Sequence, residues 1–198
     1  MPTQYNRIKI MINTISMDFA LKEIFFVIGG CRSGKSSFAL DYANKHFRQK
    51  VFLATSQALD DEMKERILRH RETRGPDWKT IEEPTKITET LASLKTNYEV
   101  ILIDCLTLWV SNLLMHGETE EQILSKAEAL VESMQKIPQS IIVVSNEVGA
   151  GIVPENKMAR EFRDIIGIVN QMVAACSDTV VLTVAGLPHV IKGELMKG

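Results

Sequence analysis

The run Gly29-Gly30-Cys31-Arg32-Ser33-Gly34-Lys35-Ser36 satisfies the pattern G-x-x-x-x-G-K-[ST] at every fixed position. Glycines at that spacing let the backbone close around phosphate oxygens with its N–H groups pointing inward. A helix starting directly after them adds partial positive charge. Lys35 is then placed to reach the β- and γ-phosphates of a nucleoside triphosphate, and the Ser36 hydroxyl to ligate Mg²⁺. Asp104 ends the apolar run Val100-Ile101-Leu102-Ile103 and matches the carboxylate that holds the same cation, partly through water. An aspartate there is also a good N-cap for a helix starting near Leu106. His70 offers a third kind of chemistry, because a neutral imidazole is a competent nucleophile toward phosphorus. A histidine near a helix end is equally a simple favourable charge against the macrodipole. Asn146-Glu147, after another apolar run, stands where a substrate would be met, and the following Gly149-x-Gly151 does not complete a dinucleotide fingerprint.

The elements that must position these residues are legible from periodicity. Residues 23–28 form a β-branched and aromatic run, which predicts a buried strand ahead of the glycine loop. From Ser36 the spacing is helical, with Phe38 and Tyr42 four apart. Residues 50–54 read as a second strand ending in Thr55-Ser56-Gln57. Residues 60–71 read as a helix with acids in its first turn, bases in its last and Gly75-Pro76 beyond its end. A short strand over 78–82, a weak helix over 85–96 and a strand over 100–104 follow. Helices over 106–115 and 119–136, a strand over 140–145 and a long helix over 155–175 come next, the last with Phe162, Ile166, Val169 and Val173 along one side. Residues 179–185 close the set as a final strand. Strands that alternate with helices and lack a polar face predict an α/β fold, mainly a parallel sheet with helices on both faces. Ligands of such sheets collect beyond the carboxyl ends of the strands, which is where Thr55, Asp104, Asn146 and the glycine loop all fall.

The chain's 198 residues and 45% hydrophobic content suit one nucleotide-binding domain over residues 24–198, with 1–23 as a leader or extension and Met17 as an alternative start. A net charge of −2 with mixed signs gives no electrostatic footprint for nucleic acid. The cluster Lys45-His46-Phe47-Arg48-Gln49-Lys50 is expected to cap a helix and meet solvent. Cys31, Cys105 and Cys176 lack metal-ligand spacing and suggest free thiols in a reducing cytoplasm. No segment approaches the roughly 18 apolar residues of a membrane span.

Several blocks in order give the chain a family resemblance. They are the glycine loop, Ala54-Thr55-Ser56-Gln57 with Asp60-Asp61-Glu62-Met63, Arg66-Ile67-Leu68-Arg69-His70-Arg71, Asp104-Cys105-Leu106-Thr107, and Asn146-Glu147-Val148-Gly149 through Arg160-Glu161-Phe162-Arg163-Asp164. Together these resemble the bifunctional adenosylcobinamide kinase / adenosylcobinamide-phosphate guanylyltransferase family over roughly residues 24–192. The resemblance implies a RecA-like P-loop NTPase fold and a homotrimer with sites near subunit contacts. It implies two reactions: phosphorylation of adenosylcobinamide from ATP or GTP, then transfer of GMP from GTP to adenosylcobinamide phosphate, giving adenosylcobinamide-GDP for cobalamin assembly. GMP would pass through a covalent phosphoramidate on His70. Nucleotide contacts would fall on Gly29, Gly30, Cys31, Arg32, Ser33, Gly34, Lys35, Ser36, Thr55, Ser56, Gln57, Glu72, Thr73, Arg74, Gly75, Glu82 or Glu83, and Asp104. Arg69-His70 stands where some relatives carry two adjacent histidines, which leaves His70 as the candidate nucleophile; Glu72-Thr73-Arg74 matches only loosely.

His70 must be neutral to attack, so a carboxylate or carbonyl is expected to hold one ring nitrogen, with Glu72, Glu82 and Glu83 as candidates. Two other readings fit the residues. One is a P-loop kinase of another small molecule without guanylyl transfer; the other is a non-catalytic nucleotide-gated module.

Overall fold

The structure, a computed structural model, describes residues 22–57, 77–94 and 97–196. Strand β1 (Ile24–Gly29) is buried along its whole length and runs into the glycine loop. Helix α1 (Lys35–His46) follows, then β2 (Lys50–Ala54), β3 (Trp78–Glu82) and α2 (Ile87–Ser93). Next come β4 (Val100–Asp104), α3 (Leu106–Met115), α4 (Glu120–Lys136), β5 (Ser140–Asn146), α5 (Lys157–Cys176), β6 (Thr179–Val184) and β7 (Leu187–Lys192). The strands form one seven-stranded sheet in the order β3-β2-β4-β5-β1-β6-β7, parallel except for the β6–β7 pair. The glycine-loop strand β1 and the Asp104 strand β4 are thus separated by β5. This is the mainly parallel, P-loop α/β architecture that the sequence predicts.

Alternation of side chains across the pleat splits the core into two layers. Phe26, Ile28, Leu53, Ile101, Ile103, Ile141 and Val143 pack against α2, α3, α4 and α5. Phe25, Val27, Phe52, Leu102, Ile142 and Val144 face α1, whose Ala39, Leu40, Tyr42 and Ala43 cover them. Phe25 and Tyr42 stack at 4.3 Å between ring centroids, fixing the helix that begins at the loop.

Four expectations are corrected. Residues 179–185 do not close the sheet: β7 adds an antiparallel edge strand through the two-residue turn Ala185-Gly186, both at positive φ (52° and 82°). The helix expected over 85–96 is confined to Ile87–Ser93. The long helix starts at Lys157 instead of 155, because Asn156 is the N-cap and accepts a hydrogen bond from the Ala159 N–H. Lys50 does not meet solvent. It is buried, and its ammonium donates to the carbonyls of Phe47 (3.0 Å) and Arg48 (3.3 Å) beside the Trp78 ring. The helix expected over 60–71 and the leader up to residue 21 lie outside the described residues.

Candidate active site

The carboxyl ends of the strands open on a cleft of about 430 Å³. It is lined by the loop Cys31-Arg32-Ser33-Gly34-Lys35-Ser36 and by Ser56, Glu82, Asp104 and Asn146. Phe52, Ala54, Thr80, Leu108 and Cys105 also line it. The period of two explains why strand residues two apart meet there. Phe52 pairs with Thr80 and Ala54 with Glu82, so the four residues share one face of the sheet beside α1.

The loop keeps its shape through its backbone and through a brace. Gly34 caps α1 at φ +95°, a left-handed conformation that side chains resist, and a Cβ there would lie 3.0 Å from the Gly186 Cα. Gly29 has no room for a Cβ, which would collide with the Thr183 and Ser33 hydroxyls. Those hydroxyls bond each other at 2.8 Å, and the Gly186 N–H donates to the Ser33 carbonyl at 2.9 Å. The β6–β7 hairpin therefore holds the loop from behind. Lys35 is buried, with its ammonium donating to the Gly30 carbonyl at 2.9 Å. A triphosphate offers that ammonium a charged partner in place of a neutral one.

Ser36 and Asp104 line the same cleft, so both groups expected to hold Mg²⁺ are brought together. Among the described residues no three His, Cys, Asp or Glu side chains cluster as a metal cage. Mg²⁺ needs none, since it characteristically takes one or two carboxylates together with substrate phosphates. The N-cap of α3 is Cys105, so Asp104 does not cap that helix. Burial, and then the Asp104 charge, push the Cys105 thiol up to about 12, which leaves it protonated and inert at neutral pH. Cys31 is exposed on the loop.

The remaining expected nucleotide contacts divide. Ser56 lines the cleft, whereas Thr55 is fully buried behind it. The Thr55 hydroxyl donates to the Cys105 carbonyl and accepts from the Cys105 N–H, both at 2.7 Å, so it fixes the segment after Asp104. Gln57 is half-buried and outside the cleft lining. Glu82 lines the cleft, but Glu83 does not. The Glu83 carboxylate accepts from the N–H groups of Thr85 (3.0 Å) and Lys86 (2.8 Å) at the start of α2. Burial pushes its pKa upward, yet these hydrogen bonds outweigh burial and hold it below the ordinary value. His70, Glu72, Thr73, Arg74 and Gly75 lie outside the described residues. Sequence reasoning did not assign Phe52, Thr80 or Leu108 to the site. The alternation Thr80-x-Glu82 was the available signal for Thr80.

A model of the family described as cobinamide kinase / cobinamide phosphate guanyltransferase matches residues 25–191. The chain is 41% identical over 168 residues to the "Bifunctional adenosylcobalamin biosynthesis protein CobP" of Pseudomonas aeruginosa, covering 85% of this chain and 96% of that one. It is 39% identical over 181 residues to the similarly named CobU protein of Escherichia coli K12, covering 85% and 99%. A solved structure from Pyrococcus horikoshii OT3 superposes with a TM-score of 0.52 at 10% identity over 88% of each chain, a likeness of fold alone. With the phosphate loop and Asp104 facing one cleft, and with a match running from β1 into β7, the chain belongs to the cobinamide kinase / cobinamide phosphate guanyltransferase family.

Proposed function

We propose that this chain carries out both reactions of its family: it phosphorylates adenosylcobinamide, then transfers GMP from GTP to the resulting phosphate through a covalent intermediate on His70. The observation that carries the reading is the convergence of Lys35, Ser36 and Asp104 on one cleft in a chain that matches the family along nearly its whole length.

In the first reaction the acceptor hydroxyl attacks the γ-phosphorus, the bond to the β,γ-bridging oxygen breaks, the nucleoside diphosphate leaves and the hydroxyl proton passes to water. Little covalent help is needed, because such transfers depend on positioning and on neutralising charge. Lys35 and the loop N–H groups hold the phosphates, and burial strengthens the attraction. Mg²⁺, held by Ser36 and Asp104, would supply further neutralisation of the phosphate oxygens when bound.

The second reaction joins two phosphates, so its acceptor is itself an anion. A neutral His70 nitrogen attacks the α-phosphorus of GTP, a P–N bond forms and pyrophosphate leaves. An oxygen of adenosylcobinamide phosphate then attacks the same phosphorus, breaks the P–N bond and returns the neutral imidazole. The intermediate lets donor and acceptor use the site in turn. Of the carboxylates expected to orient the ring, Glu82 lines the cleft, while Glu83 accepts from the backbone at the start of α2. The family resemblance further supports a cytoplasmic homotrimer, and no helix among the described residues is long and apolar enough to cross a membrane.

Mass spectrometry of the products tests this. Protein given adenosylcobinamide, Mg²⁺, ATP and GTP should yield the phosphate and then the GDP adduct; formation of the phosphate alone would leave a kinase without guanylyl transfer.

A further inference from the structure

Asn146 ends β5, the strand lying between the phosphate-loop strand and the Asp104 strand, and it lines the cleft. It pairs in register with Gly29, at the start of the loop, and lies two residues past Val144, the partner of Asp104. Its backbone is tied on both sides. The Asn146 N–H donates to the Thr107 hydroxyl at 2.7 Å, and its carbonyl accepts from the Asn170 side-chain amide at 3.1 Å. The next N–H, of Glu147, donates to the Gly29 carbonyl at 3.0 Å. Thr107 lies in the first turn of α3, three residues after Asp104, and is buried, as is Asn170. Asn146 is therefore fixed to both the carboxylate segment and the phosphate loop. By contrast, its side-chain carboxamide makes no hydrogen bond among the described residues.

A structural asparagine spends its carboxamide on neighbouring backbone. Here the protein holds the backbone and leaves the carboxamide facing the cleft. That group carries two donors and one acceptor with no net charge. Its N–H groups suit phosphate oxygens, and its oxygen suits the acceptor hydroxyl. A carboxylate could accept from the hydroxyl but has no donor for phosphate oxygens, and it would repel the triphosphate.

We propose that the Asn146 carboxamide contacts the phosphoryl group being transferred in the kinase step, and that Thr107 and Asn170 act as its positioning residues. This rests on the reading of the cleft as the kinase site. On a backbone held at both sides, the carboxamide adds a neutral donor to the cleft that Lys35 also lines, where charge spreads over the phosphoryl oxygens as the bond breaks.

Steady-state kinetics of adenosylcobinamide phosphorylation test it. Asn146→Ala should lower kcat by about 10²-fold, as loss of one preorganised donor does, with the KM for triphosphate changed by no more than about threefold. Asn146→Asp, which keeps the shape, should instead weaken triphosphate binding by roughly tenfold through like-charge repulsion. Asn170→Ala, which keeps the carboxamide but frees its backbone, should lower kcat with unchanged triphosphate KM, and by less than Asn146→Ala. An unchanged kcat in a folded Asn146→Ala protein overturns the inference; so does an effect confined to a raised KM. Lys35→Ala assayed alongside separates the two levels. If it too retains full phosphorylation, the reading of the cleft has failed, and not merely the role of Asn146.

Discussion

Exchanging Lys35 for alanine removes the loop ammonium expected to reach the β- and γ-phosphates, so both reactions should fall, the phosphoryl transfer by at least about 10²-fold in kcat/KM. Full retention of either activity would mean a second triphosphate site elsewhere. Cys31 lies on the exposed face of the same loop. Alkylation there should inactivate, and triphosphate should protect; a modification rate unaffected by nucleotide would place the thiol away from the phosphates. At this scale the sequence speaks clearly where function is written in fixed spacing, as in Gly29 to Ser36, and where a carboxylate ends an apolar strand, as at Asp104. It speaks poorly where parity or a hydrogen bond decides. Glu82 and Glu83 are adjacent acids with opposite fates, one lining the cleft and the other holding the start of α2. Thr55 looks like a ligand residue by position, yet its hydroxyl is spent on the Cys105 backbone. Neither outcome can be read from residue type.

Among the elements, the β6–β7 hairpin is the part that periodicity hides most completely. Pro188 sits within β7 and counts against a strand, since proline cannot donate to a ladder. An edge position tolerates it, and β7 is the edge. The overlooked signal was Ala185-Gly186, two residues of turn between two apolar runs. The hairpin matters to function because Thr183 and Gly186 brace the loop through Ser33. Thr183→Val keeps the shape but removes that buried bond, which should cost about 1 kcal/mol of stability and weaken triphosphate binding. Urea unfolding and nucleotide titration would show it; unaltered binding would mean that the loop holds itself. At the start of α2 the sign of a pH effect follows from Glu83. Its pKa is depressed in the fold, so its stabilisation is complete above its ordinary value of 4.5 and fades as pH falls through the folded value. In acid unfolding, Glu83→Gln should flatten the pH dependence below that point, and an identical profile would show that the cap contributes nothing.

Across the whole molecule, one rim of the sheet gathers the loop after β1 with residues of β2, β3, β4 and β5. This was legible in advance, because a parallel sheet sends every carboxyl end to the same rim, whatever the strand order. The order itself, with β5 between the loop strand and the carboxylate strand, was not legible from periodicity, which carries no information about lateral neighbours. It is that order which sets Asn146 between the two. Since the cleft draws on most of the sheet, bound triphosphate should stabilise the entire fold. At one hundred times its dissociation constant it adds about 2.7 kcal/mol, or roughly 5–11 °C in Tm for a chain of this size. The absence of any shift with saturating GTP and Mg²⁺ would contradict a folded triphosphate site.

The central claim is that one histidine carries GMP between donor and acceptor, and labelling tests it most directly. Protein incubated with α-labelled GTP and Mg²⁺, then digested and mapped, should carry acid-labile, base-stable label on the peptide containing His70, and His70→Ala should carry none while still phosphorylating adenosylcobinamide. Stable label on the alanine variant, or an unlabelled wild-type protein that nevertheless forms adenosylcobinamide-GDP, would contradict it.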